Sequence, residues 1–226
     1  MGKRGKTMNS FLVKTGVIAM VLAVSGTALA ESNFGLGVKA GTLGIGVEGT
    51  WRPVPMVDIR LGVNQYDYDY SGRYEGINYN GTLNLDTFYG TVNFKFPLSP
   101  FRVTVGAYSN SNELVMASAE SGSFEIGGTT YTSADIGSVT ATTSFSSTAP
   151  YLGFGFDFSI AGKVGLNLDF GVLWQGEPSV SMMTDGLLAN DPNFLASVEA
   201  ERLQLQNDLS SAKAWPVLSL GFVFNF

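Results

Sequence analysis

The sequence predicts an all-β protein: an eight-stranded antiparallel transmembrane β-barrel with long extracellular loops and a short helix in the last loop. Three observations predict this fold class. The first 30 residues have the layout of an export signal, no later apolar run is long enough for a spanning helix, and eight later segments alternate apolar residues with small or polar ones. Helices and closed barrels are the structures that satisfy every backbone polar group inside lipid, so an exported chain with this pattern is predicted to be a barrel.

The N-terminal segment is typical of a cleaved signal peptide. An apolar stretch from Gly16 to Val24 is followed by Ala28 and Ala30, which flank Leu29 in the small-x-small pattern that signal peptidase cuts after. The alternative is an N-terminal membrane anchor, but this stretch is about nine residues and a spanning helix needs about twenty. We therefore expect residues 1–30 to be removed and residues 31–226 to form the barrel. The basic residues before the apolar stretch are Lys3, Arg4, Lys6 and Lys14.

Composition excludes several functional classes. The 226 residues contain neither cysteine nor histidine, which excludes disulfides, Ser-His and Cys-His dyads, and metal sites with cysteine or histidine ligands. No metal or cofactor is expected. Four of the 13 basic residues lie in the signal segment, which leaves nine basic against 19 acidic residues in 31–226, a net charge of −10. Such a charge argues against a nucleic-acid partner. Some eight-stranded barrels modify lipids, but the enzymes considered first use histidine, so we expect no enzymatic activity.

Each predicted strand has one apolar and one polar face. In the last strand the even positions from 218 to 226 read Leu, Leu, Phe, Phe, Phe, whereas the odd positions from 217 to 225 read Val, Ser, Gly, Val, Asn. Neighbouring residues of a strand point to opposite faces, so the large apolar residues would face lipid and the others the lumen. A strand of a soluble sandwich alternates too, but it would need a second layer over these phenylalanines. The pattern recurs in seven earlier segments: 34–40, 45–51, 57–63, 88–96, 102–107, 152–158 and 164–172.

The predicted connections alternate between short and long. Residues 52–56, 97–100 and 159–163 are short turns by their proline and glycine content, whereas the connections after the first, 41–44, are long. Short periplasmic turns and long external loops are typical of outer-membrane barrels. We expect an extended hairpin or mobile structure over 122–147. The long connections run over 66–86, 110–148 and 176–213.

The last long connection contains a predicted helix over about 192–208. Asp191 can serve as its N-cap and Pro192 as its first residue. Its apolar stripe is incomplete, so we expect it to pack on the barrel rim rather than against a partner protein.

Charged residues on the inward faces are the first candidate site. They could line a selectivity path for a charged solute. They could equally form a salt-bridged core, because an eight-stranded barrel is only wide enough for its own side chains. Nearly equal numbers of both signs favour this paired plug. The nine residues are Lys39, Glu48, Arg52, Asp58, Arg60, Lys95, Arg102, Asp157 and Asp169.

The long loops carry a second candidate site. Tyr66, Asp67, Tyr68, Asp69 and Tyr70 could offer aromatic faces and carboxylates to an ammonium group, or could extend a strand above the membrane; the second interpretation is favoured. The loops as a whole are acidic, which would concentrate cationic solutes or coexist with lipopolysaccharide through divalent cations. Only Arg73, Arg202 and Lys213 oppose the acids. These acids are Asp67, Asp69, Glu75, Glu113, Glu120, Glu125, Asp135, Glu177, Asp185, Asp191, Glu199, Glu201 and Asp208.

Several segments resemble the CarO-like outer-membrane barrels. Ala-Pro-Tyr-Leu-Gly-Phe-Gly-Phe at 149–156 resembles the sixth strand of that family, and the segments 165–171 and 176–180 are similar to its next strand and loop. The segments 199–202, 207–208 and 215–217 look like its last loop and strand. The resemblance implies uptake of ornithine and other basic amino acids across the outer membrane of a Gram-negative bacterium. It supplies no catalytic motif. The terminal Gly221, Phe222, Phe224 and Phe226 resemble the insertion signal read by the barrel-assembly machinery.

Two functions follow as hypotheses. The first is an outer-membrane barrel with a narrow salt-bridged lumen that passes or binds small cationic solutes of the basic amino-acid type. The second is a non-transporting structural or adhesive surface barrel that acts through its extracellular loops. In both, outer-membrane lipid and lipopolysaccharide are the expected surroundings, and the assembly machinery is a partner during insertion.

Overall fold

The structure, a computed structural model, describes residues 33–74, 77–118, 122–161 and 163–226. The predicted signal segment, including Ala28 and Ala30, lies outside the described residues, so its removal stays a prediction. Within the described residues the chain forms thirteen strands and two helices. In order, these are β1 (Phe34–Gly41), β2 (Gly44–Val54), β3 (Val57–Tyr74), β4 (Ile77–Lys95), β5 (Phe101–Asn110), β6 (Glu113–Ser118), β7 (Ser123–Ile126), β8 (Thr129–Thr132), α1 (Ser133–Ile136), β9 (Val139–Ser144), β10 (Thr148–Ala161), β11 (Val164–Trp174), β12 (Ser179–Thr184), α2 (Pro192–Leu209) and β13 (Ala214–Asn225).

Eight of these strands close into an antiparallel barrel, so the predicted fold class is confirmed. The order around the barrel is β5, β4, β3, β2, β1, β13, β11 and β10, and β10 pairs again with β5. The first and last strands of the barrel pair with each other, and Lys39 of β1 lies opposite Gly221 of β13. The N–H of Phe226 extends this seam by donating to the carbonyl of Phe34 at 3.1 Å. Over the part of the barrel that the structure describes, no strand edge is therefore left open to lipid.

The alternation seen in the sequence gives the barrel an apolar outside and a polar inside. Leu61 and Phe88 are among the outward residues and are 55% and 54% exposed, as expected for side chains that face lipid. Asp58 and Asn93, which lie opposite each other on the inward faces of β3 and β4, are fully buried. Pairing between strands satisfies the backbone hydrogen-bonding groups, and the belt of outward apolar side chains places the barrel in a membrane.

The long connections fold into a second structure, which we call the cap and define as residues 66–74, 77–85, 111–118, 122–147 and 176–213. β3 and β4 continue upward as one hairpin, and β6, β9 and β12 add to it in the order β3-β4-β6-β9-β12. One row across this sheet runs from Leu83 to Leu114, Thr143 and Val180. Much of what the sequence indicated as loop is thus sheet, and 122–147 contains the short β7–β8 hairpin, α1 and β9.

The predicted helix of the last connection is confirmed, but its predicted packing is wrong. α2 begins at Pro192, and the Asp191 carboxylate accepts hydrogen bonds from the N–H groups of Asn193 and Phe194. Phe194 and Val198 are buried in an apolar cluster of the cap rather than on the barrel rim. The reason is that β7, α1 and β12 supply the apolar surface that the helix needs; the other members of the cluster are Phe124, Ile126 and Ile136, flanked by Tyr131, Val139, Met182 and Leu188. No helix in the described part of the chain is both long and apolar enough to cross a membrane.

Candidate functional site

The structure brings all nine inward-facing charged residues together in one ion-pair network. Asp58 lies at its lower end, with its carboxylate 2.7 Å from the Lys95 ammonium, 3.4 Å from the Arg52 guanidinium and 3.8 Å from that of Arg60. Among the described residues, these contacts have the distance of ion pairs but not the geometry of hydrogen bonds. Arg60 then links Asp58 to two further acids, at 3.5 Å from Glu48 and 3.3 Å from Asp157.

Arg102 is the most enclosed member of the network, with no exposed side-chain surface. Its Nε donates to Asp157 at 2.8 Å, and its Nη2 pairs with Asp169. Nη1 donates to Asn93 at 2.9 Å and to Thr104 at 2.7 Å. A guanidinium presents five donors in a fixed fork, so a single arginine can tie four strands of the barrel wall together.

Lys39 and Glu48 connect the network to an aromatic layer above it. The Lys39 ammonium lies 3.8 Å from the Glu48 carboxylate and 3.9 Å from the centre of the Tyr89 ring. The Tyr89 hydroxyl donates to Glu48 at 2.7 Å. Ammonium and ring attract each other through the ring quadrupole, so Tyr89 belongs to both layers.

The aromatic layer closes the lumen on the cap side. Tyr89 stacks on Tyr108 with ring centres 4.8 Å apart, and Tyr108 lies 5.4 Å from Tyr151. Leu43, Leu173 and Val217 pack around these rings. The sequence pattern placed Tyr89 in an inward row, but nothing in it indicated that three tyrosines from three strands would meet.

Small residues of the wall make room for these rings. A Cβ added at Gly62 would collide with the ring of Tyr89, and one at Gly153 or Gly171 would collide with the ring of Tyr151. Glycine is therefore required at these positions for the rings to lie flat against the wall. Between the tyrosines and the ion pairs lies a cavity of about 10 Å³, bordered by Lys39, Glu48, Asp169 and Ser219 among others. A second cavity of the same size lies beside Leu43 and Asn64. Each holds about one water molecule, so neither has room for a solute the size of an amino acid.

The second candidate site lies on the cap. Tyr66 to Tyr70 form part of β3, which continues in regular register with β4 above the barrel. The three tyrosines lie on one face of the sheet and the two aspartates on the other, because alternate residues of a strand point to opposite faces. They cannot converge on a single ammonium group. Thr82 instead donates a 2.9 Å hydrogen bond to Asp69 across the hairpin.

The cap is strongly acidic in the structure as well. Eleven of the thirteen acids predicted outside the barrel are described, and Glu75 and Glu120 lie outside the described residues. Two of the opposing cations are paired: Lys213 lies 2.5 Å from Glu177 and Arg202 lies 2.7 Å from Glu199. Among the described residues, no group of three or more acids is placed to hold a metal ion.

Hydrogen bonds and charges shift several pKa values on the cap. Asp185 accepts from both the N–H and the hydroxyl of Ser138, at 2.7 and 3.0 Å, and these hydrogen bonds lower the pKa of its carboxyl. The Lys213 ammonium lowers the pKa of Glu177 in the same way. Both acids are therefore held in their charged form.

The residues of the predicted insertion signal lie on β13, the strand that closes the barrel. Phe222 and Phe224 are exposed on its lipid-facing side, whereas Gly221 faces the lumen opposite Lys39. Phe226 follows at the end of the strand. Their recognition by the assembly machinery stays a prediction.

Comparisons with known proteins bear on the fold. No protein-family model matches the chain, and no curated protein matches it. Two solved barrels of Acinetobacter baumannii are similar to it. CarO2 is 22% identical with a TM-score of 0.60, over 88% of this chain and 100% of that one. CarO is 24% identical with a TM-score of 0.57, over 85% and 97%. The resemblance noted in the sequence is thus confirmed at the level of architecture, and the chain has the eight-stranded fold of the CarO barrels.

Proposed function

We propose that this chain is an outer-membrane barrel that attracts small cationic solutes to its external face and passes them through a lumen that opens only transiently. The cap is the external side, since long connections lie outside and short turns inside in barrels of this class. Solutes of the basic amino-acid type fit best, since they carry the charge that the cap attracts.

The observation that carries this proposal is the separation of charge along the barrel axis. The cap has eleven described acids against three basic residues, whereas the lumen contains five basic and four acidic side chains that pair with one another. A field of one sign concentrates ions of the opposite sign near the mouth. The lumen has no such excess, so selection would take place at the cap and the lumen would limit the rate.

The closed lumen sets the expected mode of passage. Ion pairs and tyrosine rings fill most of it, and the two cavities that they leave each hold about one water molecule. A solute the size of lysine can therefore pass only if side chains move. We expect slow, gated flux rather than the steady conductance of an open pore.

Flux into proteoliposomes tests the proposal. We expect lysine to enter faster than glutamate at low ionic strength, with the difference falling as salt screens the cap. A variant with Glu113→Gln, Glu125→Gln and Asp208→Asn should reduce the preference for lysine and leave the barrel folded. Equal flux of lysine and glutamate, or no flux of either above empty liposomes, would contradict the proposal.

A second candidate function is a non-transporting surface barrel that acts through its cap. The observation in its favour is that the cap has an apolar core of its own, around Phe194 and Ile136, rather than loose loops. An ordered external structure can present a fixed surface to another molecule. Absence of flux together with ligand binding by the cap would favour this function.

A further inference from the structure

One edge of the cap sheet is left open. β2 pairs with β3 only as far as Ile45 opposite Gln65. Beyond this point β3 runs for nine more residues, Tyr66–Tyr74, and within the described residues it pairs only with β4 on its other side. Nine residues of strand are about 30 Å long. Along that length, the backbone groups that face away from β4 have no strand partner in the described chain.

This edge has three charged residues, Asp67, Asp69 and Arg73, but otherwise lacks the usual protection against strand pairing. Proteins blunt exposed edges with proline, lysine, bulges or a covering helix. Tyr66–Tyr74 contains no proline or lysine, and its register with β4 is unbroken from Tyr66 opposite Leu85 to Tyr74 opposite Ile77.

The opposite edge of the same sheet is different. β12 is six residues long, and α2 packs beside it. Arg202 of that helix donates to the backbone carbonyl of Val180 at 3.4 Å, so part of the edge is occupied from within the chain. The openness of the β3 edge is therefore a particular feature of β3, not a general property of the cap.

The two faces of the strand at the open edge favour different side chains in a strand that pairs with it. Tyr66, Tyr68 and Tyr70 are 44%, 51% and 59% exposed on one face. Asp67 and Asp69 are exposed on the other face. Cross-strand neighbours on one face interact directly, with aromatic residues favouring apolar partners and acids favouring basic ones. A strand that adds to this edge is stabilised when its residues alternate between apolar and basic.

We propose that the edge of β3 from Tyr66 to Ser71 is a docking edge for an extended segment of a partner protein that alternates basic and apolar residues. Main-chain hydrogen bonds bind the segment, and the alternating tyrosines and aspartates select it. A second copy of this chain is a poorer occupant, because aligning Tyr66–Ser71 of two copies places Asp67 of one copy next to Asp69 of the other. Docking takes place outside the lumen and is independent of any solute flux.

Two peptides of equal composition test the docking edge on the purified, folded barrel. The first, Lys-Val-Lys-Val-Lys-Val-Lys, has the alternation; the second, Lys-Lys-Lys-Lys-Val-Val-Val, has the same charge without it. Fluorescence anisotropy is expected to show binding of the alternating peptide about tenfold tighter than the block peptide, through cross-strand pairs that the block peptide cannot form. Equal affinities, or no binding of the alternating peptide, would overturn the proposal.

Charge reversal provides the second arm of the experiment. Asp69→Lys should lower the affinity for the alternating lysine peptide about tenfold and raise the affinity for Glu-Val-Glu-Val-Glu-Val-Glu. Asp208→Lys makes the same charge change on α2 and should leave both affinities nearly unchanged. If the two variants weaken the lysine peptide equally, binding is only attraction to an acidic surface and the docking edge is refuted. Tyr68→Ala, which keeps the charge, should also weaken the alternating peptide and serves if Asp69→Lys does not fold.

Discussion

The barrel and the cap share two strands, β3 and β4, yet the two faces of β3 change chemistry between these regions. Along the inward face of β3, Asp58 and Arg60 in the barrel give way to Tyr66 and Tyr68 in the cap. Along the outward face, apolar residues up to Val63 give way to acids from Asp67 onward. The side chains keep the same alternation, so only the residue types have exchanged faces.

The level of this exchange is the same on both strands. Val63 lies opposite Phe88 as the last apolar outward pair, and Gln65 lies opposite Asp86 as the next outward pair. The surrounding solvent explains the change. In lipid the outside must be apolar and the polar residues are left for the lumen, whereas in water the outward face can carry solvated acids, and the tyrosines on the other face stay about half exposed. The pair at Gln65 and Asp86 therefore marks the external boundary of the membrane.

If ion pairs in the lumen stabilise the barrel, removal of one of these charges should lower its stability more than the other changes considered. Arg102→Ala is expected to lower the free energy of unfolding by about 3–5 kcal/mol, because Asp169 remains buried without its cation. Adding Asp169→Ala should restore part of that loss. Urea unfolding of the folded barrel in lipid measures both variants.

The cap offers a matched control for this prediction. Lys213 and Glu177 form an ion pair whose side chains are 51% and 69% exposed. Lys213→Ala should cost no more than about 1 kcal/mol, as is usual for exposed pairs. An Arg102→Ala barrel as stable as the Lys213→Ala protein would refute the role assigned to the lumen network.

The cap should respond most to loss of an apolar side chain. Phe194→Ala is expected to destabilise the cap by about 3 kcal/mol, because it leaves a cavity in the cluster with Ile136 and Val198. Limited proteolysis should then cut within 122–147, while the barrel keeps its heat-dependent gel mobility. Leu203→Ala removes an exposed residue of the same helix and should have little effect. Unfolding of barrel and cap together would show that the two regions are one cooperative unit.

The smallest expected effect is a pH dependence confined to the cap. The hydrogen bonds from Ser138 lower the pKa of Asp185 below its ordinary value of 3.8. A group whose pKa is lower in the folded state contributes stability above its unfolded pKa and loses it as the pH falls through the folded pKa. Protease resistance of the cap should therefore decrease below about pH 4. Asp185→Asn should remove this part of the pH dependence; an unchanged profile in that variant would assign the effect to other acids.

Local pattern was sufficient to predict the barrel and α2. Alternation with a period of two marked eight strands, and proline and glycine marked the short turns, because strand faces and tight turns depend on neighbouring residues. Asp191 and Pro192 located the start of α2 because an N-cap acts within one helical turn. The same alternation placed all nine lumen charges on inward faces.

The cap could not be predicted in this way. β6, β9 and β12 are only six residues long and pair with strands far away in the chain, and β9 and β12 are rich in serine and threonine, so no local period marks them. The position of α2 depends on these pairings, because its apolar residues pack against the β7–β8 hairpin rather than against the barrel rim. Whether such a segment forms a strand depends on the surfaces that it meets in the folded protein, and the local sequence does not contain that information.

The sequence by itself determined which side chains face lipid, which face the lumen, and where the chain turns, because each of these depends on the covalent geometry of a strand. Only the tertiary structure decided which charges pair, that Tyr89, Tyr108 and Tyr151 meet above them, and that the edge of β3 stays open. The physical reason is closure: alternation assigns a residue to a face, but its height and neighbours depend on the stagger with which eight strands close into a barrel.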